Sequence, residues 1–129
     1  MANEQKYIIY ILGDGNKIRE RIEKHLLSGE LEALELLSHR LTEAITTIKL
    51  LSISTMDAKV VMAGGDDILL LVDRNKYSRE LIQQLSDIFK KESGESISFG
   101  IGFTIETAYV NLRRAKSSSV SIVEGNVSL

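Results

Sequence analysis

Apolar and polar positions along this chain switch between the period of a strand and that of a helix. The run Tyr7 to Leu12 is continuously apolar, rich in β-branched and aromatic residues, and stops at Gly13-Asp14-Gly15. Such a run reads as a buried strand ending in a loop. Asn16 then offers an N-cap for a helix over Lys17 to Leu27, in which Ile18, Ile22 and Leu26 recur at helical spacing. Beyond Ser28-Gly29, the residues Leu31, Leu34, Leu37, Leu41, Ile45, Ile48 and Leu51 form the stripe of a long amphipathic helix facing a core. Ser54-Thr55-Met56-Asp57 breaks the stripe.

Ala58 to Met62 and Ile68 to Val72 are short apolar strands on either side of Ala63-Gly64-Gly65-Asp66-Asp67, which makes them a β-hairpin. A helix from about Ser78 to Lys91 turns Leu81, Ile82, Leu85, Ile88 and Phe89 inward. Ile97 to Phe103 alternates large apolar residues with small ones, a strand whose small-residue face something must approach closely. A last helix over Ile105 to Lys116 precedes a closing strand around Val120 to Val123, and the tail after Glu124 is expected to fray. The predicted fold is α/β, a ferredoxin-like, palm-like sandwich with helices mainly on one face of a mostly antiparallel sheet, in one domain over residues 1–129.

Composition narrows the chemistry. Of 129 residues, 26% are charged and 43% apolar, with a net charge of −2, so no global basic field exists to bind a nucleic-acid backbone. The absence of cysteine excludes disulfides, thiolate metal sites and cysteine nucleophiles. The apolar run near the start is too short for a signal-peptide core or a membrane span. A cytoplasmic protein with no direct nucleic-acid or membrane binding is expected. His25 and His39 lie within helices without a second catalytic group nearby in sequence, and the four tyrosines are expected to pack at core or boundary positions.

One hairpin turn needs only one Asp-Gly or Asn-Gly pair, so the second aspartate of Gly64-Gly65-Asp66-Asp67 exceeds what folding requires. With the first strand beside the hairpin strands, Asp14 would meet Asp66 and Asp67 at one sheet edge. Three such carboxylates repel one another and lose hydration unless a cation sits among them. Hard oxygen ligands favour Mg²⁺ or Mn²⁺, and two such ions about 3.5–4 Å apart would serve an in-line phosphoryl displacement. Gly64 and Gly65, lacking Cβ atoms, would let a nucleotide lie against the backbone. A solvated hairpin tip is the plainer reading of the turn taken alone.

The ordered set Gly13-Asp14-Gly15-Asn16, Ala63-Gly64-Gly65-Asp66-Asp67, Ser98-Phe99-Gly100-Ile101-Gly102 and Ala115-Lys116 resembles the nucleotide cyclase palm. That palm is shared by GGDEF cyclases and the polymerase-like large subunit of type III CRISPR complexes. The chain is most similar to the minimal CRISPR polymerase family, mCpol, over nearly its whole length. The resemblance implies that Asp14, Asp66 and Asp67 hold the metals, with the Gly15 carbonyl as a further ligand. It places Asn16 and Lys17 near the nucleotide's phosphates or sugar and Lys116 at the terminal phosphates. At most one of Arg113 and Arg114, which point in different directions on a helix, would serve phosphate. Ile68 stands where GGDEF proteins have an aromatic residue, so guanine recognition is not implied, and adenine is the expected base.

What the resemblance implies is a metal-dependent nucleotidyltransferase that joins two ATP molecules into a cyclic dinucleotide, releases pyrophosphate and acts in antiphage defence. Two linkages need two facing sites, hence a homodimer or higher homo-oligomer, with the product read by a separate membrane effector. Two other classes stand beside this. A catalytically silent palm could bind nucleotide as a sensor, although loss of the carboxylates would be its expected mark. An RNA-binding module would need exposed aromatic residues and a basic face, and aromatics are only 5% of the chain.

Overall fold

The computed structural model describes residues 7–125, so the expected frayed tail lies almost wholly outside the described residues. In chain order the elements are β1 (Ile8–Gly15), α1 (Ile18–Leu27), α2 (Leu31–Met56), β2 (Lys59–Gly64), β3 (Asp67–Asp73), α3 (Arg79–Ser93), β4 (Ile97–Gly102), α4 (Ile105–Lys116) and β5 (Ile122–Glu124). They form one sheet in the order β2-β3-β1-β4-β5. All neighbours are antiparallel except β4 and β5, which run parallel. The first four strands are two βαβ units interleaved as in a ferredoxin-like sandwich, with α4 and β5 added at one edge.

Strand alternation decides what each face does. Ile9 and Ile11 of β1, Ile68, Leu70 and Val72 of β3, and Ile97, Phe99 and Ile101 of β4 are buried together with Leu41, Ile45 and Ile48 of α2 and Ile82, Leu85 and Phe89 of α3. Each of these side chains contributes about 1.5–3 kcal/mol by leaving water. Ile18 anchors α1 to the same cluster. Three helices therefore share one face, while α4 crosses the other. The small face of β4 is what admits it: a Cβ on Gly100 would come within 2.1 Å of the Ala108 carbonyl oxygen and the Leu112 nitrogen. Both faces of β4 are buried, which explains its alternation of large and small residues.

Several boundaries differ from the sequence pattern, and three of the differences have a clear cause. β1 runs on through Asp14 and Gly15, because β3 and β4 pair with it on both sides as far as Asp14↔Asp67 and Gly15↔Ile97. α2 continues through Ser54 and Thr55, whose hydroxyls bond back to the Leu51 carbonyl, and stops only where Asp57 adopts φ 52°. Asn16 is not the N-cap of α1. Lys17 holds that position in a left-handed conformation with no side-chain cap, and the Asn16 amide is drawn instead across the sheet end to β4. Among the described residues no helix is long and apolar enough to cross a membrane.

Candidate active site

The last residues of the central strand carry the site. Asp14 lies directly opposite Asp67 on one side and Ser98 on the other, so these three side chains share one face of the sheet. Between β2 and β3 the chain turns through Gly65 and Asp66, with Gly65 at φ 60°, the left-handed value a tight hairpin turn needs. The Gly15 amide donates to the Asp66 carbonyl oxygen at 2.9 Å, which ties the tip to the end of β1. Carboxylate oxygens of Asp14, Asp66 and Asp67 consequently all lie within 4.8 Å of one another.

Lys116, at the end of α4, reaches this cluster from the helix packed on the same face of the sheet. Its Nζ is 2.8 Å from Asp14 Oδ2 and donates to the Gly15 carbonyl oxygen at 2.9 Å and Asn16 Oδ1 at 3.1 Å. Asn16 is itself held by β4 and the residue before it: its Nδ2 donates to Ser96 Oγ, and Ser98 Oγ donates to its Oδ1, both at 2.9 Å. Ser96 and Ser98 are thus part of the site's support. Sequence reading passed over their side chains, since serines in or beside a strand carry no signal of their partner.

One ammonium faces three carboxylates, and the charges are unequally compensated. Burial pushes the Asp14 carboxyl up, but hydrogen bonds from Asp67 and Lys116 and the Lys116 charge outweigh it and hold Asp14 below its ordinary value. Burial and the Asp14 charge raise Asp66. Asp67 is pushed up to about 7 by its hydrogen bond to Asp14, by burial and by the two neighbouring charges. A carboxylate set this reluctant to ionise, already clasping one cation in Lys116, fits divalent metal ions with oxygen preference.

The carboxylates line an open cleft of about 690 Å³ with Gly15, Lys17, Ile18, Arg19 and Lys116. Across the Asn16–Lys116 contact lies a second cleft of about 460 Å³, lined by Lys17, Ser96, Ser98 and the serines of the α4–β5 connection. Lys17 borders both. Gly65 is required by its φ, but Gly64 is not required by packing, because a Cβ there would meet nothing within 4 Å. Arg113 borders Asp14 and Lys116 in a smaller cleft, whereas Arg114 turns to Asn111. His25 and His39 pair with Glu30 and Glu43 within the α1–α2 region, apart from the carboxylates.

No curated protein matches this chain. Among solved structures, a Csm1–Csm4 cassette in complex with cA4 matches with a TM-score of 0.74 at 17% identity, over 92% of this chain and 21% of that one. The cassette with pppApA matches at 0.72 and 16%, over 88% and 19%, and the cassette with one ATP at 0.70 and 17%, over 88% and 20%. At these identities the likeness is one of fold, and this chain spans about a fifth of the chains it matches. The family model of the minimal CRISPR polymerase domain, mCpol, matches residues 10–125, a span that contains all three aspartates, the glycine turn and Lys116. The chain belongs to the minimal CRISPR polymerase family.

Proposed function

We propose that this protein is a metal-dependent nucleotidyltransferase that joins two nucleoside triphosphates, ATP by preference, into a cyclic dinucleotide. The observation that carries this reading is the meeting of Asp14, Asp66 and Asp67 within 4.8 Å at the mouth of a cleft that Lys116 also lines. Asp14, Asp66, Asp67 and the Gly15 carbonyl would hold Mg²⁺ or Mn²⁺, one ion or two. When bound, such ions lower the pKa of an attacking ribose hydroxyl and neutralise charge on the α-phosphate.

The chain's own residues bind and orient. Gly64 leaves the hairpin backbone open to the nucleotide, Lys17 and Asn16 border the phosphates or sugar, and Lys116 takes the terminal phosphates. The ribose hydroxyl of one nucleotide attacks the α-phosphorus of the other, the bond to the β-phosphate bridge breaks, and pyrophosphate leaves. Two such steps close the ring, so no protein nucleophile is needed and positioning carries the catalysis. One cleft of this size accepts one triphosphate, and two palms facing each other supply both linkages. The working form is therefore a homodimer or higher homo-oligomer.

Structures of the same fold hold ATP, pppApA and cA4, which supports adenine as the base. Family membership supports a part in antiphage defence, with the product read by a separate membrane effector. Purified protein incubated with each labelled triphosphate and Mg²⁺ or Mn²⁺, then treated with phosphatase and read by mass spectrometry, tests the reading. A phosphatase-resistant cyclic dinucleotide is expected. Unchanged triphosphates that still bind by calorimetry would replace the enzyme with a nucleotide sensor.

A further inference from the structure

The Lys116 ammonium has three N–H donors, and it faces three oxygen acceptors: Asp14 Oδ2, the Gly15 carbonyl and Asn16 Oδ1. Two of those acceptors are oxygens assigned above to the metal. Among the described residues, the ion pairs include only this one to any of the three aspartates. Lys116 and Asp14 are also partly shielded, with side-chain exposures of 29% and 35%, so their attraction is somewhat less screened than that of a fully exposed surface pair.

We propose that Lys116 is a tethered cation that occupies metal-ligand oxygens in the empty site and passes to the triphosphate when a divalent ion displaces it. The inference rests on the metal–nucleotide reading above and adds to it a coupling between the two ligands. Metal alone must break the Lys116–Asp14 pair and the bond to the Gly15 carbonyl, and the displaced ammonium then returns to water. With a triphosphate present the same ammonium finds a new anion, so each ligand strengthens the other by the same factor. In the empty protein the clasp also offsets repulsion among the carboxylates and joins the end of α4 to the end of β1.

Mn²⁺ binding to the full chain, followed by electron paramagnetic resonance with and without a non-hydrolysable ATP analogue, tests this without turnover. Without nucleotide, Lys116→Met is expected to bind Mn²⁺ about tenfold more tightly than the natural protein, the equivalent of one charge-assisted hydrogen bond no longer to be broken. Arg113→Met removes an exposed charge nearby that clasps no ligand, and it should change affinity by about twofold or less. The analogue should tighten Mn²⁺ binding in the natural protein much more than in Lys116→Met. Lys116→Gln, which keeps a donor without the charge, should shift the same way and serves if the methionine variant folds poorly. Equal Mn²⁺ affinity in the natural and Lys116 proteins, or an equal gain in Arg113→Met, would overturn the tethered cation and leave the metal site standing. Absence of Mn²⁺ binding in the natural protein even with the analogue would overturn the metal–nucleotide reading itself.

Discussion

Gly15 lies directly against Asp66: its amide donates to the Asp66 carbonyl, and a Cβ on Gly15 would stand 3.0 Å from the Asp66 Cβ and 2.9 Å from Ile18 Cγ1. This glycine is thus needed for the approach of the hairpin tip. Gly15→Ala should cost about 1–3 kcal/mol through overpacking and should push Asp66 away from Asp14. Urea unfolding measures the first effect and Mn²⁺ affinity the second. A variant of natural stability that binds Mn²⁺ normally would show that the tip has room to spare.

On the proposed reading, the carboxylates repel one another in the metal-free fold and are relieved when metal binds. On the proposed metal mechanism, Asp66→Asn and Asp67→Asn should each abolish turnover while leaving the fold intact. In metal-free protein Asp67→Asn should raise stability by roughly 1 kcal/mol, allowing for solvent screening at this partly exposed position. That corresponds to about 3–5 °C in melting temperature. Full activity in both variants would remove the metal mechanism, and a lower melting temperature for metal-free Asp67→Asn would show that repulsion does not strain the cluster.

The same strain sets a pH dependence. Asp67, with an ordinary value of 3.8, is pushed up to about 7 in the folded protein. Between those values the metal-free fold keeps a proton that the unfolded chain has released, so this group's contribution to stability is full below about pH 4 and is lost as pH rises through 7. Asp14, held below its ordinary value, acts oppositely: its contribution is present above that value and lost in stronger acid. On the proposed metal reading, a proton on Asp67 also competes with the ion. Melting curves with Mn²⁺ and with chelator should separate little at about pH 5.5 and widely at about pH 8, with the gap levelling off above 7. A constant gap across that range would mean that no carboxylate proton is displaced by the ion.

Particular residues show why some of this was legible and some was not. Ile9, Ile11, Ile68 and Leu70 announce buried strands because burial on the core face leaves an apolar signature in the sequence itself. The small residues Gly100 and Gly102 likewise signalled a close approach, which α4 makes. The number and placement of the aspartates pointed to convergence because a tight turn has no use for the second one. Asn16 was opaque for the opposite reason. Its side chain satisfies a local rule for helix caps, yet tertiary bonds to Ser96, just before β4, and Ser98 within it, about eighty residues away, override that preference, and no local pattern encodes them. Asp14 and Gly15 read as loop because Gly-Asp-Gly is a loop signal, until strands pair with it on both sides.

Gly100 and Gly64 differ in what an added Cβ would meet. At Gly100 a methyl group would strike the backbone of α4 at 2.1 Å, and backbone cannot rotate out of the way as a side chain can. Gly100→Ala should therefore destabilise the protein by about 3 kcal/mol or more and displace α4, carrying Lys116 away from Asp14. At Gly64 the same methyl meets nothing, and φ there is not positive, so Gly64→Ala should leave the unfolding midpoint within about 0.5 kcal/mol of the natural value. On the proposed reading its effect should instead fall on the nucleotide, as a weaker affinity for the ATP analogue at unchanged Mn²⁺ affinity, because the added Cβ would occupy the surface proposed to carry the nucleotide. Calorimetric titration of the folded variant decides this. Undiminished analogue binding by Gly64→Ala would mean that the nucleotide does not rest on the hairpin backbone, and Gly64 would then need another explanation.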